Sequence, residues 1–165
     1  MRTAIVTGSS RGIGRGIADL LDQNGYTVIY SGTKPERPAD LPDEKSYFAA
    51  DISDGTQRRA LVAFALEKYG RLDVLVNNAG IAHYGLISQI TEAEWDRLFA
   101  VNVKGIYHCV NAVLPGMLQK QSGCIINVAS MWGQVGASCE AAYSATKGAV
   151  LALTKALAQE LGPSG

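Results

Sequence analysis

Short runs of apolar and β-branched residues alternate along the chain with longer segments whose apolar positions recur at helical spacing. Runs of the first kind predict five strands, at residues 3–7, 26–30, 47–50, 74–76 and 124–128. Segments of the second kind predict helices at residues 12–23, 53–69 and 141–161. Strands and helices that alternate in this way are typical of βαβ units.

A further helix is predicted to begin after Thr91, because Thr91 and Glu94 have the spacing of a capping box. It runs towards residue 119, and Pro115 followed by Gly116 is expected to break or kink it. Five strands joined by helices predict an α/β fold with a doubly wound, Rossmann-type parallel sheet in a single domain over residues 1–165. Periodicity alone leaves the order of the strands open.

Composition and charge exclude several classes of function. Fifteen Lys plus Arg balance fifteen Asp plus Glu, so no strong field attracts nucleic acid or anionic lipid. The apolar runs fall short of the roughly 20 residues that cross a bilayer, and residues 1–8 lead into a strand rather than a signal peptide. We therefore expect a cytoplasmic protein without a membrane or nucleic-acid partner. Cys109, Cys124 and Cys139 lack metal-like spacing, which predicts free thiols and no metal site.

A glycine-rich turn, TGSSRGIG at residues 7–14, lies between the first strand and the first helix. Gly8 permits a tight turn, Gly12 lets a ligand approach the main chain, and Gly14 lets the helix pack close to the sheet. The free amides and positive dipole end of the helix would then bind a pyrophosphate. The spacing differs from the generic GxGxxG, and such a turn alone is also compatible with a simple tight connection.

The residues after the second predicted strand bear on the choice of dinucleotide. A carboxylate there would bind the ribose hydroxyls of NAD(H), but the sequence is SGTK at residues 31–34, without an acid. Arg11, with Thr33 or Lys34, would instead bind a 2′-phosphate through charge and hydroxyl contacts. NADP(H) is therefore favoured over NAD(H). The alternative is that Arg11 and Lys34 are solvated surface charges.

Candidate chemistry lies near the end of the chain. Tyr143 and Lys147 are adjacent on one helix face, and an ammonium near a phenol favours the phenolate, so such a tyrosine can exchange a proton near neutral pH. Ser130 follows the fifth strand at its carboxyl end, where open α/β sheets bind ligands, and its hydroxyl would support a carbonyl oxygen together with Tyr143. Asn102 is either a buried, satisfied amide or the holder of an ordered water.

In order and spacing these motifs resemble the short-chain dehydrogenase/reductase family. The motifs are TGSSRGIG, NNAG at residues 77–80, VNV at 101–103 with Asn102, Ser130, and Tyr143 to Lys147. The resemblance spans essentially the whole chain, and the glycine turn is most similar to that of 3-oxoacyl-[acyl-carrier-protein] reductases. It implies an NADP(H)-dependent enzyme that needs no metal and transfers a hydride between the nicotinamide and a carbonyl or secondary alcohol of a small molecule.

The resemblance also implies a role for each site residue. Tyr143 would be the general acid/base, Lys147 would favour its phenolate and bind the nicotinamide ribose, Ser130 would orient the substrate carbonyl, and Asn102 would hold a water that connects Lys147 to solvent. The cofactor would contact the glycine turn and the ends of the neighbouring strands as well as Tyr143 and Lys147. The positions concerned are Gly8, Ser9, Ser10, Arg11, Gly12, Ile13, Gly14, Thr33, Asp51, Ile52, Asn78, Ala79 and Gly80.

The resemblance also sets up an expectation about length. Family members continue with a sixth strand, a nicotinamide loop and a substrate lid, whereas this sequence ends at Gly165. We therefore expect a fragment, or part of a longer chain, that is truncated after the helix carrying Tyr143 and Lys147, with the fifth strand at a sheet edge.

The resemblance further implies a homodimer or homotetramer, associated through the helix after Thr91 and the helix carrying Tyr143. Five apolar positions fit such a seam or an intramolecular core equally well: Leu98, Val101, Val150, Leu151 and Leu153. Two alternative functions stay open. One is a truncated, non-catalytic dinucleotide-binding or oligomerisation module. The other, ranked last, is a methyltransferase of similar architecture, which leaves Tyr143 and Lys147 unexplained.

Overall fold

The structure, a computed structural model, describes residues 1–164, which form one parallel sheet and its covering helices. Within that range the strands are β1 (Thr3–Val6), β2 (Thr27–Gly32), β3 (Ser46–Ala49), β4 (Val74–Asn77) and β5 (Cys124–Asn127). The α-helices are α1 (Gly12–Gln23), α2 (Gly55–Tyr69), α3 (Glu92–Phe99), α4 (Gly105–Lys120), α5 (Trp132–Val135) and α6 (Ala141–Leu161). The predicted α/β fold with a doubly wound parallel sheet is confirmed.

The strand order, which the sequence left open, is β3-β2-β1-β4-β5. From β1 the chain adds strands on one side through β2 and β3, and then crosses to the other side with β4 and β5. The loops that follow β1 and β4 therefore depart at a topological switch point, where open parallel sheets form a ligand crevice. The glycine turn and the segment Asn78 to Gly80 are these two loops.

Alternate side chains of the strands enter two cores, one on each face of the sheet. Ala4, Val6 and Val76 pack with Ala18 of α1 on one face. Residues one position along, such as Ile5 and Leu75, pack on the other face with α2 and α4. This period of two explains why strands buried on both faces read as unbroken apolar runs in the sequence.

Most predicted helix ends agree with the structure to within two residues. The helix over residues 12–23 and the helix over 141–161 are found with the predicted bounds. The second helix begins at Gly55 rather than at Ser53, because the Asp54 carboxylate accepts hydrogen bonds from the amides of Thr56 and Gln57 and so caps the first turn. Its last residue, Tyr69, precedes Gly70 in a left-handed conformation, as a glycine cap predicts.

The long helix is interrupted at a different place from the one predicted. The capping box is confirmed, since Thr91 and Glu94 each bind the other's backbone amide, at 2.8 and 3.2 Å. The break expected at Pro115 is wrong, because α4 continues through it to Lys120. The interruption is instead a π-helical turn over Ala100–Lys104, between α3 and α4. Pro115 has no amide hydrogen, so the carbonyl of Asn111, four residues earlier, lacks its helical partner. Because Asn111 is exposed, water can replace that partner.

The proposed seam residues are mostly internal to the monomer. Leu98, Val101 and Val150 are at most 5% exposed, and Leu153 packs on the cluster that Val150 forms with α4. For these positions the intramolecular alternative is correct. β5 lies at the sheet edge, as predicted, beside an apolar groove whose lining includes Leu114, Ile125 and Leu157. No helix among residues 1–164 combines the length and apolar character needed to cross a bilayer.

Candidate active site

The glycine turn after β1 is held against the loop after β4 at very short range. A methyl group on Gly8 would lie 2.9 Å from the Cα of Ala79, and Gly8 has a φ of +64°. A methyl group on Gly14 would lie 2.3 Å from the Asn78 amide nitrogen. Both positions therefore require glycine for close approach, as the sequence predicts. Gly12, also in a left-handed conformation, has nothing within 4 Å of such a methyl, so its main chain faces open space.

Polar contacts fix the two loops to each other. The Asn78 side chain donates to the carbonyls of Thr7 and Gly8, at 2.9 and 3.1 Å. In return the Thr7 hydroxyl accepts from the amides of Asn78 and Ala79. Ser9 is fully buried, its hydroxyl donates to the Val6 carbonyl and accepts from the Ser31 amide, and its own amide donates to the Ser31 carbonyl. Neither its hydroxyl nor its amide is therefore free to bind a ligand. The side chain of Asn78 is thus a brace for the turn.

The side chains predicted to bind a 2′-phosphate lie in the glycine turn and directly after β2. Arg11, Thr33 and Lys34 are all exposed. Ser10 lies against the end of the strand, because a methyl group on Gly32 would come within 2.8 Å of its hydroxyl. The Tyr47 hydroxyl donates to the Lys34 carbonyl at 2.8 Å and so anchors the loop that follows β2.

The two residues assigned to the adenine occupy different environments. Asp51 is half-buried and paired with Arg97 of α3, at 3.0 Å. Burial alone would raise the pKa of Asp51, but hydrogen bonds from Ser53 and Arg97 outweigh it and hold the pKa below its usual value. The Ile52 side chain lies in the core against Gly105 and is 4% exposed, which leaves almost none of it for a ligand.

Tyr143 and Lys147 lie one turn apart on α6, and their surroundings differ. Tyr143 is half-buried, whereas Lys147 is 5% exposed. The Lys147 ammonium donates to the Val128 carbonyl at 2.8 Å and lies 5.8 Å from the centre of the Tyr143 ring. Burial lowers the pKa of Lys147, and among the described residues no carboxylate offsets that cost.

Asn102 is fully buried within the π-helical turn, and its side chain is almost completely satisfied. Its amide nitrogen donates to the Ile81 carbonyl and to the Thr146 hydroxyl, at 2.8 and 3.0 Å. Its oxygen accepts from the Ile81 amide at 2.9 Å. One acceptor position on that oxygen is left for a water. The side chain is therefore bonded as a buried amide would be, and the open acceptor position keeps the ordered-water alternative in place.

Ser130 lies in the turn between β5 and α5, on the same side of the site. Its hydroxyl accepts from the Trp132 amide at 3.2 Å, and its carbonyl accepts from the Gly133 amide. Gly133 in turn lies against the backbone of Lys147. The short helix α5, which the sequence did not predict, therefore connects Ser130 to the helix that carries Tyr143.

Gly80 joins the nucleotide end of the crevice to the chemical end. A methyl group there would lie 3.3 Å from the Asn102 side-chain oxygen and 3.6 Å from the Lys147 ammonium. The loop after β4 thus contacts the glycine turn through Asn78 and the Tyr143 helix through Gly80. Asn78, Gly80, Asn102, Lys147 and Tyr143 thus lie in one connected series of contacts that begins at the glycine turn.

Three further contributors escaped the sequence reasoning. The Val128 carbonyl is a backbone atom, and Arg97 acts from a helix distant in sequence from Asp51. Thr146 lies between Tyr143 and Lys147 on α6, and the sequence analysis assigns it no role. No sequence signal identifies the first two, but a threonine inside a helix is a residue whose hydroxyl needs a partner.

The remaining titratable groups lie outside this cluster. His83 is 3.8 Å from Glu94, and Cys109 is buried in the core. No group of three potential metal ligands is present among residues 1–164.

Comparisons with known proteins agree with this architecture. The family described as short chain dehydrogenase matches residues 2–165. The chain is 41% identical over 172 residues to the 3-oxoacyl-[acyl-carrier-protein] reductase FabG of Staphylococcus aureus, covering 99% of this chain and 70% of the relative. The FabG of Thermotoga maritima is 34% identical over 167 residues, covering 97% of this chain and 68% of the relative.

Two solved structures are similarly close. A short-chain dehydrogenase from Streptomyces avermitilis has a TM-score of 0.94 and 38% identity, covering 99% of this chain and 62% of that protein. A metagenomic short-chain oxidoreductase in complex with NADP has a TM-score of 0.93 and 35% identity, covering 99% of this chain and 76% of that protein. The chain thus spans about two thirds of the length of the proteins it matches.

Proposed function

This chain belongs to the short-chain dehydrogenase family of oxidoreductases, and from that premise we propose that it binds NADP(H) and interconverts a carbonyl and a secondary alcohol on a small molecule. The observation that carries the proposal is the pairing of Tyr143 with a buried Lys147 that has no acidic partner within the described residues. The Lys147 ammonium faces Gly80 of the loop after β4, and Asn78 of that loop contacts the glycine turn. The substrate class and the cofactor are both parts of the proposal.

The glycine turn fits a dinucleotide. The main chain at Gly12 faces open space, and the first amides of α1 point their positive dipole end there. Gly8, Ser10 and Ile13 of the turn would hold the pyrophosphate, with Asn78, Ala79 and Gly80 beside the ribose and Asp51 at the adenine. When bound, the nicotinamide supplies or accepts the hydride that is exchanged with the substrate carbon.

The chain's own residues would handle the proton and the substrate oxygen. Tyr143 would donate its proton to that oxygen during reduction and accept it during oxidation. The Lys147 charge favours the phenolate, and the Val128 carbonyl holds the ammonium in place. The Ser130 hydroxyl would hydrogen-bond the same oxygen and orient the carbonyl. Asn102 would contribute chiefly by fixing Ile81 and Thr146, with one acceptor position left for a water.

We propose NADP(H) rather than NAD(H) as the cofactor. Arg11 and Lys34 are exposed beside the end of β2, and no acid follows that strand within residues 31–34. A 2′-phosphate would gain charge-assisted hydrogen bonds there and meet no carboxylate that repels it. The short-chain oxidoreductase solved with NADP is similar to 99% of this chain, which favours the same choice of cofactor.

Steady-state oxidation of NADPH with a panel of β-keto thioesters, ketones and aldehydes tests the function. Turnover of at least one compound by the wild-type protein, and its loss in Tyr143→Phe, is the expected result. A protein that binds NADPH tightly but reduces none of the panel would overturn the proposal in favour of a dinucleotide-binding module. Tyr143→Phe removes only the hydroxyl, so its folding is checked by the thermal unfolding curve.

We also propose that residues 1–165 act as a single cofactor-binding domain within a homodimer or homotetramer. Since Leu98, Val101 and Val150 are buried in the monomer, the contact would use the exposed side chains of the same helices, including Tyr107 of α4. Light scattering of the purified protein tests this proposal. A monomeric mass over a wide range of concentrations would contradict it.

A further inference from the structure

Thr146 occupies a central place in the hydrogen bonds around the candidate site. It is fully buried on α6, between the two residues of the Tyr143–Lys147 pair. Its hydroxyl donates to the Tyr143 carbonyl at 2.7 Å and accepts from the Asn102 amide at 3.0 Å. A threonine hydroxyl has one hydrogen to donate and two lone pairs that accept, so these contacts use its single donor and one of its two acceptor positions.

The chain of contacts continues on the far side of Asn102. The same side chain binds both the amide and the carbonyl of Ile81, which directly follows Gly80. A methyl group added at Gly80 would lie 3.6 Å from the Lys147 ammonium. Thr146 thereby connects the main chain of Tyr143 to the loop after β4, and that loop faces the ammonium. These hydrogen bonds fix the rotation of α6 about its own axis relative to this loop.

We propose that Thr146 is a positioning residue that holds Lys147 where its charge acts on Tyr143. The inference rests on the proposed function and assigns to a further residue the geometry which that function needs. Without the hydroxyl, the buried Asn102 amide loses a partner, which favours a shift of α6 away from the π-helical turn. Positioning errors of this kind reduce the rate without removing any group that touches the substrate.

The same helix supplies a matched control. Thr154 lies two turns further along α6, where its hydroxyl donates to the Val150 carbonyl at 2.7 Å and accepts from the Asn127 amide at 2.9 Å. This arrangement repeats that of Thr146, but it is remote from Tyr143 in sequence and faces β5. Thr154→Val therefore removes an equivalent pair of hydrogen bonds without touching the candidate site.

The test compares Thr146→Val, Thr146→Ser and Thr154→Val with the wild type. We expect Thr146→Val to lower kcat by about tenfold to a hundredfold and to move the tyrosine limb of the pH–rate profile to higher pH. Thr146→Ser, which keeps the hydroxyl, should restore both properties. Thr154→Val should reduce thermal stability and leave the pH–rate profile as in the wild type.

A wild-type profile in Thr146→Val, or the same shift in Thr154→Val, would overturn the inference. If Thr146→Val does not fold, Thr146→Ala removes the hydroxyl without setting a methyl group against Asn102 and is judged by the same profile. A second measurement needs no turnover. The absorbance of phenolate is recorded against pH for each protein and for the same protein with Tyr143→Phe, and the difference between the two curves reports Tyr143 alone. A shift in Thr146→Val alone, in a protein that reduces no substrate, would support the positioning role while the proposed function fails.

Discussion

Gly133 lies so close to Lys147 that a methyl group on Gly133 would be 2.6 Å from the Lys147 carbonyl carbon and 2.7 Å from its carbonyl oxygen. The atoms that it would meet all belong to the backbone of α6, which cannot turn aside as a flexible side chain can. Any side chain at Gly133 must therefore separate α5 from α6. Because Ser130 precedes α5 and Tyr143 lies on α6, we expect a separation of the two helices to change the position of Ser130 relative to Tyr143.

Gly133→Ala is expected to destabilise the protein by about 1–3 kcal/mol through overpacking and to reduce turnover more than NADPH binding. The control is Gly116→Ala, in the interior of α4 with nothing within 4 Å of the added methyl. That change should stabilise the helix by about 0.5–1 kcal/mol. Urea unfolding and steady-state kinetics measure both effects. Equal stability of Gly133→Ala and the wild type would show that the helices separate at no cost.

Arg11→Gln is expected to raise the Kd for NADPH by about tenfold to a hundredfold, because a charge-assisted hydrogen bond to a phosphate contributes about 1.5–3 kcal/mol. The Kd for NADH should stay the same, since NADH lacks the 2′-phosphate. Lys155→Gln, which removes an equal charge from an exposed position on α6, controls for the overall change in charge. Fluorescence titration with both cofactors gives the constants. Equal wild-type affinities for NADPH and NADH would remove the role assigned to Arg11 and Thr33.

Asp73 is expected to make stability fall in acid. The Arg71 guanidinium outweighs the cost of burial and, with the Thr3 amide and the Lys120 ammonium, holds the pKa of Asp73 well below its usual value. The folded protein thus binds this proton less tightly than the unfolded chain. The stabilisation is complete above about pH 4 and is lost as the pH falls further.

Asp73→Asn should accordingly cost about 2 kcal/mol at neutral pH, and its free energy of unfolding should depend less on pH below about pH 4 than that of the wild type. Asp43→Asn is the control, because the Asp43 carboxylate is fully exposed and 3.8 Å from Arg37. It should match the wild type at every pH. Urea unfolding across the acidic range decides the matter, and parallel curves for Asp73→Asn and the wild type would exclude this role.

The cysteines should differ widely in their reactivity. Burial raises the pKa of Cys109 to about 11, so its thiolate is scarce at neutral pH, and the side chain is enclosed in the core. Cys124 is exposed at the start of the edge strand β5. Iodoacetamide should label Cys124 in the native protein and Cys109 only in urea, as read from the masses of the labelled peptides. Native labelling of Cys109 would mean that α4 opens readily.

Local sequence signals predicted the local features of this fold well. The Thr91–Glu94 box and the ends of α6 follow from interactions between residues near one another in sequence. The need for glycine at Gly8 and Gly14 was predicted from their place between a strand and a helix, although the atoms they approach belong to Ala79 and Asn78, far away in sequence. The site positions at Tyr143 and Lys147 were recognised because their spacing puts them on one helix face.

The features that the sequence did not reveal depend on distant partners. The strand order follows from which faces pack together, and periodicity carries no such information. The π-helical turn arises where Asn102 binds Ile81 and Thr146, residues 21 and 44 positions away. Pro115 misled the prediction because the rule that proline ends a helix assumes that its freed carbonyl lacks a substitute partner. Packing of distant faces decides the strand order, long-range hydrogen bonds accompany the π-helical turn, and solvent exposure of the Asn111 carbonyl explains why Pro115 is tolerated.

The π-helical turn at Ala100–Lys104 also means that the path from Thr91 to Lys120 contains one residue more than an uninterrupted α-helix of the same course would need. Each residue of an α-helix advances the chain by about 100°, so deleting Val103 would regularise the helix yet rotate Asn102 out of phase with Ile106 and Val110. Either the buried amide or the apolar stripe would then face the wrong neighbour. The extra residue therefore allows α3 and α4 to follow one continuous course while their buried sides point in different directions.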